Sequence, residues 1–404
     1  MRSTLYQMDI IYLLMLHLLY NYYIHYMSES KVTDLSVATV EAELPAPVVF
    51  GDWIMRTREF VVVRITLDSG IEGWAFTLSR DGAVAEHIRK TLRNIYVGTL
   101  TKDVESTFRV AQRRSLASHS AGVGLRALSL ADLALWDARS KEAGQSISKF
   151  LKGSRSPMPA TAIIGYPPAT MGPEEVFVQV KDLYSQGWRR FKAPVGINNQ
   201  ATAERLKAAR KAAPDAWIGC DAAWIFNDVA GAMELLNMLD EVDLGWFEDI
   251  FPPGNAQVVA DLRSSTKIPI AMGDEQGGIY YPEALIAKSA VDVIRIDLTC
   301  MGGITGGRRV VDECLKAGVS FAAHMFAHVH SQVFGAWGFT DVPIEWGVPW
   351  TGVDPYADSL EQPKIRVDGL MEPLSEKPGF GDLVNFEWIK TQKCVDPDKI
   401  LFRA

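Results

Sequence analysis

The carboxyl-terminal two thirds of the chain repeats one figure, a short apolar run that ends on a charged or polar residue. Three of these runs are Trp217-Ile218-Gly219-Cys220-Asp221, Leu244-Gly245-Trp246-Phe247-Glu248 and Ile268-Pro269-Ile270-Ala271-Met272-Gly273-Asp274. A nearly continuous apolar run of this length is the pattern of a strand buried on both faces, as in a parallel sheet. Asp221, Glu248 and Asp274 therefore fall at strand ends, 27 and 26 residues apart. That interval holds one strand, one helix and two loops, and its repetition predicts a (β/α) barrel. The barrel is expected to begin at Ala160-Thr161-Ala162-Ile163-Ile164, with a helix over about residues 173–186 and a second strand over Arg189 to Pro194. Sixth, seventh and eighth strands follow at Val291 to Asp297, Val319 to His324 and Val342 to Glu345.

Upstream the period changes. Between Lys31 and Thr77 polar and apolar residues alternate, and Phe60 to Leu67, the turn Asp68-Ser69-Gly70 and Ile71 to Ala75 form a β-hairpin signal. Helical spacing then runs over about 83–96, 102–115 and 122–143, the last with the buried series Leu128, Leu130, Ala131, Leu133, Ala134, Leu135 and Trp136. The expected organisation is an N-terminal extension over 1–30, an α+β cap over 31–155, a barrel over 156–350 and a returning segment over 351–404. Near the C-terminus Glu376-Lys377-Pro378-Gly379-Phe380-Gly381 reads as a turn.

Composition narrows the function classes. The chain has 404 residues, 48% of them hydrophobic, enough for a barrel with a second domain. A net charge of −8 without any Lys/Arg run argues against nucleic acid. Cys220, Cys300, Cys314 and Cys394 are scattered without CxxC pairing and read as reduced core thiols, so a cytoplasmic protein is expected. Residues 1–26 stand apart: Ile10 to Leu19 is apolar and Tyr20 to Tyr26 aromatic-rich, yet the apolar core of about ten residues is too short to span a bilayer. Asp9 and His17 interrupt it, and no small-residue cleavage site follows. The segment is read as an extension upstream of a start at Met27, or as a targeting segment or anchor.

The candidate chemistry lies at the strand ends. Three converging carboxylates repel one another unless a cation joins them, and hard oxygen donors without Cys or His favour Mg²⁺, with Mn²⁺ possible. Lys192, Asp297, His324 and Glu345 join Asp221, Glu248 and Asp274 at strand ends. A His at one strand end with an Asp at the preceding one is an arrangement for proton abstraction. Taken singly, a strand-end acid is commonly a helix cap and a lysine there a solvated rim charge. Seven such residues at barrel intervals make one site the better account. Glu275 follows Asp274, and strand alternation lets only one of the two point inward.

These residues resemble the enolase superfamily, mandelate racemase subgroup, from about Lys31 to the C-terminus. Gly187 to Gly196 is similar to the family's second-strand KxK segment with its trailing glycine. Asp221, Glu248 within Phe247-Glu248-Asp249, and Asp274 within Ala271-Met272-Gly273-Asp274 match its metal ligands, and the match favours Asp274 over Glu275, which becomes a loop or rim residue. Asp297 before Met301-Gly302-Gly303-Ile304-Thr305-Gly306, with His324 in Ala323-His324-Met325-Phe326, matches the Asp-His dyad. Glu345-Trp346 matches the eighth-strand acid that hydrogen-bonds the substrate carboxylate, and Ala131 to Asp137 and Lys377 to Gly381 match structural signatures. The resemblance implies a modified (β/α)7β TIM barrel with an N-terminal α+β capping domain completed by the C-terminal segment. It also implies Mg²⁺ chemistry on a small carboxylate substrate, with removal of the proton α to that carboxylate, in a homo-oligomer.

Two departures refine this expectation. Pro194 stands where KxK has its second lysine, and proline accepts no proton. Racemisation needs a base on each face, whereas His324 alone suits a dehydratase; sugar-acid dehydratases of this subgroup, rhamnonate dehydratase among them, tolerate Lys-x-Pro. The other departure is Ala223, where many members carry Asn. The expected activity is dehydration of an aldonic or aldaric acid to a 2-keto-3-deoxy acid. A racemase or epimerase with an unidentified second base and a non-catalytic metal-binding barrel are the alternatives. Substrate choice is expected from cap loops over 43–58 and 76–80 and from Tyr166, with Arg56, Arg58 and Arg80 as candidates to meet distal groups.

Overall fold

The computed structural model describes residues 30–50, 53–275, 278–347, 352, 354–374 and 376–395. The apolar stretch before Met27 lies outside them. Among the described residues no helix is long and apolar enough to cross a membrane.

The cap is built on an antiparallel sheet of β1 (Val32–Phe50), β2 (Trp53–Leu67) and β3 (Glu72–Leu78). Alternation puts Val61, Val63 and Ile65 on one face and Phe60 and Val62 on the other, and all five are buried, so the sheet is covered on both sides. The helix Val123–Glu142 packs on it so closely that a Cβ on Gly73 would stand 2.0 Å from the Ala134 carbonyl. The helical stretch expected over 83–96 is one rod with a π turn at Ile88–Leu92. Of segment 43–58, expected as a loop, residues 43–50 and 53–58 are instead the paired far ends of β1 and β2, with a register shift between the pairs Glu43/Thr57 and Val48/Met55.

The barrel strands are β4 (Met158–Ile163), β5 (Arg190–Pro194), β6 (Trp217–Asp221), β7 (Trp246–Glu248), β8 (Ile270–Met272), β9 (Val293–Ile296), β10 (Ser320–Ala323) and β11 (Ile344–Gly347). All pair in parallel in the order β10-β9-β8-β7-β6-β5-β4-β11. The Ala323 amide donates to the Pro343 carbonyl at 3.1 Å, which draws β10 to β11 and nearly closes the cylinder. Several barrel helices are capped by side chains that are not strand-end acids: Asn198, Asp228 and Asn255 accept from the first-turn amides of Asn199–Ala212, Val229–Leu236 and Ala256–Ser265. The strand-end carboxylates Asp221 and Glu248 are thus not spent on capping.

Inside the barrel, below the strand ends, Trp217 and Trp246 meet edge to face at 4.4 Å, with Ala271, Val293 and Ala322 around them. Gly219 makes room for both indoles, since a Cβ there would lie 2.5 Å from the Trp217 ring and 2.9 Å from Trp246 Nε1.

The C-terminal segment returns to the cap. β12 (Leu370–Met371) pairs with the start of β4 and β13 (Lys393–Cys394) with β1. The two signature acids of the long cap helix explain themselves as ties. Asp137 accepts from the amides of Trp74 and Phe380, both at 2.8 Å, joining β3 to the tail. Asp132 accepts from the amide (3.0 Å) and hydroxyl (2.6 Å) of Thr305, joining cap to barrel.

Candidate active site

The cap hairpin overhangs the carboxyl ends of the strands and covers a small pocket, with a cavity of about 60 Å³. Lys192, Asp221, Asp274, His324 and Glu345 line its floor, Phe50, Trp53 and Met55 its cap side, and Arg58, Arg80 and Tyr166 the far end. Several residues of its wall hold left-handed backbone: Ala223 (φ 47°), Trp224 (59°), Asp249 (47°), Met325 (41°) and Arg80 (53°). Non-glycine residues rarely adopt this conformation, and such strain gathers where surrounding structure imposes it, commonly at functional sites.

Lys192 is the hub of the floor. Its ammonium lies 3.3 Å from Asp221 Oδ2, 3.0 Å from Glu248 Oε1 and 2.9 Å from Glu345 Oε2. Burial would lower its pKa, but Glu248, Glu345 and Asp221 together raise it well above the usual value. Sequence reasoning missed the second cation here, Arg295. Its Nε is 3.0 Å from Glu248 Oε1, Nη1 donates to the Ala323 carbonyl at 2.7 Å, Nη2 pairs with Glu345, and the guanidinium lies over the Trp246 ring. Burial would raise the Glu248 pKa, but Arg295 first and Lys192 next hold it down at about 2. The signal was present: a charged residue inside the apolar run Val293-Ile294-Arg295-Ile296, two before Asp297 and so on the same strand face.

His324 Nδ1 lies 3.1 Å from Asp297 Oδ2, while Asp297 Oδ1 accepts from the amide and hydroxyl of Thr299, each at 2.7 Å. With Nδ1 donating to Asp297, Nε2 is the basic nitrogen, and it stands 3.7 Å from both Asp274 Oδ2 and Glu275 Oε1. Burial favours neutral imidazole, but the Asp297 bond and the charges of Glu345, Glu275 and Asp297 outweigh it and hold the His324 pKa above its ordinary value. The other described histidines nearby serve the fold. His330 accepts from the Leu298 amide (2.8 Å) and is bonded to the Met325 carbonyl (2.7 Å), and His328 is bonded to the Glu361 carbonyl (2.8 Å).

Two expectations need correction. Glu275 is no rim residue: it is buried, paired with Arg80 and, at 3.3 Å, with Arg126. Asp274 lies two residues past the end of β8, where strand alternation no longer forces the two acids apart, so both reach the pocket. Arg56 is exposed and does not line the pocket, whereas Met55 and Arg58 do. The register shift in the hairpin breaks the alternation that would have put Arg56 and Arg58 on one face. Arg80 and Tyr166 do line the pocket.

Asp221 pairs in register with Glu248 at the ends of adjacent strands. Asp274 instead lies within hydrogen-bond reach of Asp249; burial first and that neighbour next raise the Asp274 pKa well above the usual value, and burial pushes Asp249 up to about 7. Among the described residues no three His, Cys, Asp or Glu side chains close around one point, because Lys192 takes Asp221 and Glu248 and Asp249 takes Asp274. The donor chemistry nevertheless fits a hard divalent cation: three carboxylates at neighbouring strand ends, with Glu248 Oε2 buried and without a partner.

Cap, barrel and a floor of acids, lysine and His-Asp pair together make the frame of an enzyme. The chain belongs to the mandelate racemase/muconate lactonizing enzyme family of the enolase superfamily: residues 33–152 match the family's N-terminal domain and 175–388 the domain described as enolase C-terminal domain-like. It is 27% identical over 388 residues to a D-galactonate dehydratase family member of Catenulispora acidiphila, covering 86% of each chain. It is 25% identical over 333 residues to the L-talarate/galactarate dehydratase of Salmonella typhimurium, covering 80% of this chain and 79% of that one. The structure of that dehydratase, liganded with Mg and L-lyxarohydroxamate, superposes with a TM-score of 0.79 at 22% identity, over 91% of this chain and 94% of that chain. A racemase from Streptomyces coelicolor with bound magnesium gives 0.78 at 20% identity, over 89% and 99%.

Proposed function

We propose that the protein is a Mg²⁺-dependent dehydratase of a sugar acid, converting an aldonic or aldaric acid to a 2-keto-3-deoxy acid. The observation that carries this reading is a single oriented base. His324 is fixed by Asp297 at one side of the pocket, while Pro194, two residues beyond Lys192, lines the pocket where a second base would be needed for racemisation. The dehydratases among the relatives and the Mg-bound neighbours support it.

Asp221, Glu248 and Asp274 would hold the cation. When bound, Mg²⁺ offsets negative charge that develops on the substrate carboxylate as the α-proton leaves. Lys192 donates to the same carboxylate and is kept in place by Glu345, whose Oε1, buried and without a partner among the described residues, is left to accept from a substrate hydroxyl. His324 Nε2 takes the α-proton, with Asp297 stabilising the imidazolium that forms. The C2–H electron pair then forms the C2–C3 double bond as the C3–O bond breaks. The imidazolium returns its proton to the departing hydroxyl, which leaves as water. The enol product takes a proton at C3, gives up the proton of its C2 hydroxyl and becomes the 2-keto-3-deoxy acid. The cap hairpin, with Phe50, Trp53 and Met55 over the pocket, limits water access during these steps.

The test is proton NMR in D₂O with Mg²⁺ against a library of aldonic and aldaric acids, alongside His324→Asn. A 2-keto-3-deoxy product that vanishes in the variant is the expected result. Deuterium entering C2 without dehydration on any acid would overturn the dehydratase in favour of an epimerase. No exchange with any acid would favour a non-catalytic barrel.

A further inference from the structure

Two arginines, Arg58 and Arg80, line the cap side of the pocket, and a third, Arg126, stands behind Glu275; of the three, only Arg80 and Arg126 have an acid within ion-pair distance among the described residues. Arg80 and Arg126 share the carboxylate of Glu275, and Arg126 also donates to the Leu78 and Glu275 carbonyls, each at 3.2 Å. Arg58 shares nothing of the kind. It is 6% exposed, it lines the pocket, and its Nε and Nη1 are buried and have no hydrogen-bond partner among the described residues. Burial and the Arg80 charge both oppose its charged state. Asp354 acts on it only as a charge: one carboxylate oxygen of Asp354 accepts from the Ala357 amide at 3.1 Å, and the other has no partner. A guanidinium stays charged under almost any conditions, so an unpaired buried one is costly unless something arrives to pair with it. Its planar fork matches a carboxylate, which takes two parallel hydrogen bonds.

The floor already provides for one carboxylate, at Lys192 and the strand-end acids. We infer that Arg58 receives a second carboxylate at the opposite end of the substrate, so that the substrate class is the dicarboxylic sugar acids, the aldarates, rather than the aldonates. This rests on the dehydratase reading for the identity of the first carboxylate. An aldonate ends in a neutral hydroxymethyl group, which would leave the Arg58 charge uncompensated. An aldarate of the same chain length brings the missing charge. Tyr166 and Arg80 flank the position, and Phe50 packs edge-on against Tyr166 at 6.3 Å.

The experiment pairs each hexarate with the hexonate of matched stereochemistry, galactarate with galactonate and glucarate with gluconate among them. Turnover is measured with the Mg²⁺-loaded wild type, and equilibrium binding by calorimetry with His324→Asn. The wild type should prefer a diacid by at least about 100-fold in kcat/KM, because a site built around a charged partner rejects the analogue that lacks it. Arg58→Met should remove most of that preference by losing the diacid while changing hexonate turnover only a few-fold; Arg58→Lys should restore part of it. Should Arg58→Met not fold, the wild-type ratio and Arg58→Lys still decide. Equal use of both acids, a preference for hexonates or for their terminal phosphates, or equal losses on both substrates in Arg58→Met would overturn the inference. Failure of the two readings can be told apart. Arg58-dependent diacid binding without turnover keeps the second carboxylate and removes the dehydratase. Hexonate dehydration without diacid preference does the reverse.

Discussion

The two ends of the pocket are both ionic, but they are balanced differently. At the floor every cation has acids to meet: Lys192 touches three carboxylates and Arg295 two. At the cap end two arginines crowd one glutamate, and a third, Arg58, has no ion-pair partner among the described residues. The floor is anchored to barrel strands, so its groups are held where strand ends put them. Arg58 and Arg80 at the cap end are carried by the hairpin and the turn after β3, which can vary without disturbing the barrel, while Arg126 comes from the long cap helix and Glu275 from the loop after β8. The difference teaches that a fixed floor suits the step common to all substrates, and an incompletely compensated cap suits the choice among them.

The largest effect that would break this comparison is at the floor. His324→Asn should lower kcat by about 10²- to 10⁴-fold, the range for a positioned acid-base group, with the fold unchanged by circular dichroism; retained turnover would remove His324 from the chemistry. Because proton abstraction needs neutral imidazole, the rate should rise with pH through the His324 pKa, which lies above 6.5. In Asp297→Asn burial is less strongly opposed, so the rising limb should move to lower pH while the maximum falls; an unmoved limb would show that Asp297 does not set the base.

Lys192→Met leaves Asp221, Glu248 and Glu345 short of a cation, a loss of about 3–5 kcal/mol for a broken buried pair. Mg²⁺ should then raise the melting temperature of the variant more than that of the wild type, and an equal response would mean that the metal does not take over the charge balance. Away from the pocket, Asp137→Ala removes the acceptor for Trp74 and Phe380 and unpairs Lys141. It should cost about 3 kcal/mol in urea unfolding and leave the substrate preference as it was. Smallest of all, Arg56→Ala should stay within about 0.5 kcal/mol and leave kinetics unaltered, since Arg56 is exposed. A large loss of diacid turnover there would return Arg56 to the site.

Legibility in the sequence followed the regularity of the backbone. Asp221, Glu248, Asp297, His324 and Glu345 could be placed because each ends or follows a buried run whose alternation fixes which face it takes. Where alternation failed, so did the placement. Arg56 and Arg58 part company beside a register shift that Pro45 and Pro47 mark but whose effect on the facing strand they do not, and Glu275 turns inward where β8 has stopped at Met272. Arg126 sits in the first turn of a long helix, and nothing local marks it as the partner of an acid 149 residues later. Ties such as Asp137 to Phe380, 243 residues apart, are likewise invisible until the tail is seen to return.

By itself, then, the sequence determined the barrel, its order of strands and the acids at their ends, because hydrophobic period and strand length are local properties that one dimension can carry. Only the tertiary structure decided how charge is shared: that Lys192 and Arg295 divide Glu248 and Glu345, that Glu275 serves two arginines, and that Arg58 has no partner among the described residues. Pairing of charges depends on distance and burial in three dimensions, and residues far apart in the chain meet there with no periodic trace.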